Sequence, residues 1–210
     1  MEPKPLERRI NLEKIILIAL CTAALLSFFA PAIRVDVNFL GRYSSTSLSM
    51  ASIVIRPESP FATMDVPGLQ HMGFSDFLDI AGENNPFADI GVRLITSIAA
   101  YGITAILLIT ILICTILGKL KMLCTILLAI SLALYTYAGI AISTVPDAMQ
   151  DALVSFLGIL AMFINISGLV DLNLAIGYWL TLALILTMII FETVCIIKNR
   201  ITSEASQCTT

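Results

Sequence analysis

The sequence predicts an all-α integral membrane protein: a four-transmembrane-helix bundle with a small exofacial β-hairpin and an amphipathic-helix cap. Three observations predict it. Of the 210 residues, 58% are hydrophobic and 13% charged, against about 25% charged in an ordinary soluble domain, and that excess apolar surface calls for a lipid solvent. Apolar runs recur at lengths near the roughly 20 residues a helix needs to cross the hydrocarbon. Lysine and arginine gather in three clusters that an even number of crossings brings to one side.

Residues 1–14 carry Lys4, Arg8, Arg9 and Lys14 and read as a cytoplasmic N-terminal segment. The first span is 15–33, "IILIALCTAALLSFFAPAI". Its basic start, apolar run and "APA" at Ala30 to Ala32 also fit a secretory signal whose cleavage would leave three spans. The retained-helix reading rests on the length of the basic segment and on a run that continues to spanning length.

Segment 34–93 is expected outside. In "IRVDVNF", Ile33, Val35, Val37 and Phe39 alternate with Arg34, Asp36 and Asn38, the pattern of a half-buried strand. Gly41 supplies a turn, and "SSTSLSMASIVI" is rich enough in Ser, Thr and β-branched residues to return as a second strand. "RPESPFATMDVPG" reads as an exposed loop. "GFSDFLDIAG" then puts Phe74, Phe77, Leu78 and Ala81 on one face of a short amphipathic helix. Asp65, Asp76, Asp79, Glu83 and Asp89 make this exterior acidic, but no spacing resembles a calcium loop, so they read as a solvated face.

Spans 94–117 and 122–143 flank the turn 118–121, "GKLK", and form a tight antiparallel hairpin. In the exofacial segment 144–173, Asp147, Gln150, Asp151, Ser155 and Gly158 recur at three- and four-residue steps. The uninterrupted apolar core 152–164 is about 20 Å long as a helix, short of the roughly 30 Å hydrocarbon. A helix over 151–167 therefore lies on the membrane or re-enters it, with a fifth span as the alternative. Span 174–197 precedes the cytoplasmic tail 198–210. With four spans the N-terminal cluster, Lys119 with Lys121, and Lys198 with Arg200 share one side, whereas a fifth span would put the last pair outside and a basic-free "DLN" turn inside. Cys21, Cys114, Cys124, Cys195 and Cys208 all fall in the inferred cytoplasmic halves or tail, so no exterior disulfide is expected and the thiols read as buried fillers or reduced groups.

Chemistry-bearing residues are sparse. His71, the single histidine, sits in the Pro/Gly-rich loop, and there is no paired-histidine zinc motif, no Cys-x-x-Cys and no aspartate within a span. No catalytic, cofactor-binding or metal-ligating residue is assigned, and the chain is not expected to be an enzyme. The net charge of −3 argues against a nucleic-acid partner. Glu192 is the one intramembrane ionisable candidate, read as an interfacial carboxylate near Lys119, Lys121 or Lys198, with an ion pathway as the competing role. Small residues spaced four positions apart, Ala19, Ala23 and Ser27 in the first span and, in the third, Ala129 with Ala133 and then Gly139 with Ser143, are expected where helices meet.

The order of helix, strand hairpin, helix, tight basic turn, helix, exterior segment and helix resembles the claudin-like four-span architecture. The resemblance is topological: the exterior segment lacks the Trp and the two cysteines of that family, so no site residue and no barrier function carries over. The functional expectation is a non-catalytic accessory or interaction subunit in the lipid bilayer, partnered by another membrane protein or by itself. The alternative is a transporter or channel subunit acting as an oligomer. The expected location is the plasma membrane, with both termini cytoplasmic.

Overall fold

Because a helix satisfies its own backbone groups and a sheet needs a partner strand, the apolar runs fold as helices and the alternating segments pair with one another. The structure, a computed structural model, describes residues 5–39, 42–55, 79, 87–118, 121–158 and 170–207. In chain order these form α1 (Pro5–Ser27), β1 (Pro31–Phe39), β2 (Arg42–Ser49), α2 (Met50–Ile55), α3 (Ala88–Leu117), α4 (Lys121–Ser143), α5 (Val145–Leu157), β3 (Val170–Leu174) and α6 (Ile176–Gln207). The fold is mostly helical with one small three-stranded sheet. α1 packs against α3 and α6, and α4 against the same two helices. The expected loop and amphipathic helix between 56 and 86 lie outside the described residues, apart from the exposed Asp79.

Among the described residues three helices are long and apolar enough to cross a membrane: Ala88–Leu117, Met122–Leu157 and Ile176–Lys198. These mark a membrane-embedded chain. α1 differs from the expected span 15–33. It ends at Ser27, a turn follows, and Pro31 opens β1, so Ala32 and Ile33 belong to the sheet and residues 15–27 rise only about 20 Å. The apolar run was continuous, but its end at Pro31 to Ile33 leads into the alternating segment 33–39, and pairing with β2 and β3 decides its conformation.

α3 stops at Gly118, whose φ of 70° is the left-handed conformation that glycine adopts freely and whose N–H bonds Cys114 O and Thr115 O. Lys14 Nζ donates to Ile116 O at 2.6 Å, so a cation from α1 sits on the negative end of α3. α4 then returns antiparallel.

Past Ser143 the chain does not begin a separate surface helix at Asp151. Thr144 N–H bonds Ile140 O and Ala148 N–H bonds Thr144 O, so helical bonding runs on from α4 into α5 across Pro146, which removes a donor near the junction. Val145 and Ala152 are buried with Ile90 of α3, and Leu94, Met149 and Leu172 pack against them. This face rests on protein, and the polar stripe of Asp147, Gln150, Asp151 and Ser155 faces away. Residues 159–169, on which the re-entrant and fifth-span readings depend, lie outside the described residues.

The hairpin of β1 and β2 is antiparallel as the alternation implies, with Val35 opposite Thr46 and Asp36 opposite Ser45. Ile33, Val35 and Val37 point into the core; Arg34 and Asn38 point out. Two features differ from expectation. The second strand ends at Ser49, because Ser49 Oγ accepts the Ser52 N–H at 3.1 Å and so caps α2. A third strand, β3, pairs with the other edge of β1, setting Leu174, Leu172 and Val170 beside Ile33, Val35 and Val37. β1 is thus the central strand, and its apolar face covers the helix ends.

Candidate functional site

Two polar layers cross the helix interior, and a third polar surface lies on the outer face of the sheet. The first surrounds Glu192. A glutamate shallow in a span can snorkel to water, but Glu192 is only 6% exposed. The carboxylate lies close enough to the Cys124 thiol to act on it electrostatically, and Cys114 and Thr115 of α3 neighbour the same thiol. Glu192 is therefore buried on the face of α6 that lies beside Cys124 of α4. Lys198 is exposed on the same helix, and Lys119 lies outside the described residues. Cys21, Cys114 and Cys124 are free thiols, with Cys21 Sγ 3.2 Å from Leu108 O. Cys208 lies outside the described residues.

The second layer is aromatic and was missed in the sequence. Tyr135 of α4 is stacked on Tyr178 of α6, centroids 4.9 Å apart and planes 12° apart. It meets Tyr101 of α3 edge to face at 5.2 Å and Phe28 after α1 at 6.1 Å. Every long helix contributes a ring or abuts one. Beside the rings, Ser27 Oγ and Thr181 Oγ1 are 2.6 Å apart, joining α1 to α6. "YTYAG" held the signal, but a tyrosine on a lipid-facing surface looks the same in sequence: Tyr137, two residues on, is half exposed and reaches only Thr96 at 3.4 Å.

The small-residue stripes divide. Ser27 is buried at the α1–α6 contact, and Gly139 is buried against the Tyr178 ring, which leaves no room for a Cβ. Ala23 is half-buried, while Ala19, Ala129, Ala133 and Ser143 are exposed among the described residues. The buried face of α1 is instead Leu17, Cys21, Ala24 and Phe28. A small side chain is as compatible with lipid as with a neighbouring helix, so spacing alone did not choose the face.

On the outer face of the sheet, Arg34 Nε bonds Asp36 Oδ1 at 3.1 Å and Ser45 Oγ at 3.3 Å, and Tyr43 Oη donates to Asp36 Oδ1 at 2.8 Å. Ser45, followed by Tyr43 and Arg34, holds the Asp36 carboxyl below its ordinary range. A depressed folded value means this network contributes stability above the unfolded pKa, about 3.9, and loses it as pH falls through the lower folded value. The groups are largely exposed, and the effect is small.

Among the described residues no group of three or more His, Cys, Asp or Glu is placed to hold a metal ion. Compared with known families, curated proteins and solved structures, the chain matches no family model, no curated protein and no solved structure.

Proposed function

We propose that the chain is a non-catalytic accessory or interaction subunit, whose helices or outer sheet bind another membrane component. The observation that carries this reading is how the polar groups in the helices are used. Thr104, Thr110, Thr115, Ser131, Thr136 and Thr187 each donate to the carbonyl four residues back, which satisfies them inside their own helix. Tyr101, Leu108, Leu128, Tyr135, Ile185 and Met188 fill the space between the helices. A single chain packed this way offers little to a hydrophilic solute.

In this reading α1 joins the three apolar helices as a four-transmembrane-helix bundle with claudin-like topology, in the plasma membrane and with both termini cytoplasmic. Exposed Trp179 and exposed Lys198 on α6 suit the two interfaces. Their separation along the helix is about 28 Å, close to the hydrocarbon thickness. Purification in mild detergent with native mass measurement tests the function. A foreign membrane protein in fixed stoichiometry is expected, and a closed ring of self-copies would reject it.

The burial of Glu192 favours a second reading, a transporter or channel subunit acting as an oligomer, because a buried intramembrane carboxylate is a common element of coupled pathways. Under the accessory reading, Glu192→Gln, which retains hydrogen-bonding capacity, should leave partner binding unchanged, and native vesicles with an imposed proton or cation gradient should show no flux. A gradient-driven flux in native vesicles, abolished by the substitution while the protein stays monodisperse, would promote the second reading.

A further inference from the structure

The tyrosine layer contains two hydroxyls that make no hydrogen bond. Tyr101 Oη and Tyr135 Oη are both buried without a partner, in residues only 2% and 0% exposed. Burying a hydroxyl unbonded is costly, and within a membrane no bulk water relieves it. The two rings cross at 72°, and the phenols are near enough to influence each other electrostatically. No hydrogen bond joins them.

Thr181 neighbours Tyr135 without the geometry of a hydrogen bond between their hydroxyls, and its hydroxyl can still accept. Ser27 Oγ contacts Ala24 O at 2.6 Å, Thr181 Oγ1 contacts Gly177 O at 2.9 Å, and the two hydroxyls contact each other. Two hydroxyl hydrogens serve three contacts, and the oxygens keep lone pairs for an incoming donor.

We propose that Tyr101, Tyr135 and Thr181 together hold one buried water molecule between α3, α4 and α6. Three polar partners is the usual complement of such a water, and a single water oxygen can accept from both phenols. The site would pin three helices through one shared centre, just beneath the sheet.

The test is thermal unfolding in mild detergent of Tyr101→Phe, Tyr135→Phe and the double variant, with the infrared spectrum of each. Every single substitution should lower the midpoint by about 2–4 °C. The double variant should lose little more than either alone, because the second change acts on a water already released. The native chain should show a sharp water O–H band that shifts in ¹⁸O-labelled water and is missing from the double variant. Midpoints that rise would mean the hydroxyls are simply unbonded, since removing a buried unmatched polar group stabilises. Loss confined to Tyr135→Phe and shared with Thr181→Val would mean a direct Tyr135–Thr181 bond. Strictly additive losses would mean two separate partners. Any of these three outcomes overturns the proposal.

Discussion

Gly177→Ala is expected to be among the most damaging single-methyl additions to the chain. Within a helix, glycine to alanine ordinarily stabilises by about 1 kcal/mol. Here, in the first turn of α6, an added Cβ would stand 2.6 Å from Pro31 O and 2.8 Å from Ala30 O. Both are backbone atoms at the entry to β1, and Ala175 N–H already bonds Ala32 O at 2.8 Å beside them. The neighbour cannot give way by a rotamer change; α6 must move off the sheet. Overpacking costs about 1–3 kcal/mol and occasionally more, and a clash with fixed backbone carbonyls falls at the upper end of that range, above the propensity gain. Denaturant unfolding in detergent micelles should show the loss, and a variant more stable than the native chain would mean that the close approach of α6 to β1 does not exist.

Tyr135→Ala should cost about 3–5 kcal/mol, the range for deleting a fully buried ring. In lipid the helices gain nothing from the hydrophobic effect by meeting one another, so the packing lost around such a ring is most of what holds them. Tyr135 touches rings from two other helices and Phe28 after a third. The matched control is Tyr137→Ala, two residues along the same helix. Tyr137 is half exposed with one long bond to Thr96, and its loss should stay within about 0.5 kcal/mol. Parallel unfolding curves that fall equally for the two variants would contradict the assignment of the α4 core face.

What the sequence made legible follows from the range of each interaction. Hydropathy over twenty residues is a local property, and the runs within α3, α4 and α6 are helices, as is the α1 segment up to Ser27. Alternation around Val35 was equally local and marked β1. β3 depended on a partner more than a hundred positions away, and "VDLNL" is too short to announce a strand by itself. The cap that ends β2 was present as two serines three apart, but the β-rich run around them masked it. For Glu192 the depth was readable from its distance to Lys198, whereas its burial beside Cys124 depends on helix rotation, which sequence spacing does not reveal. Gly177 gave no signal at all, because its role is to admit a backbone carbonyl from another element.

The central claim is that α1 completes an even set of crossings, although its helix stops at Ser27. Topology mapping with reporters fused at Glu2, near Ser59 and at Thr210 in cells tests it most directly. The predicted result is Glu2 and Thr210 on the cytosolic face with Ser59 on the opposite face. A Glu2 reporter on the same side as Ser59 would show that α1 does not cross, and a Thr210 reporter outside would show an odd number of crossings; either result contradicts the account.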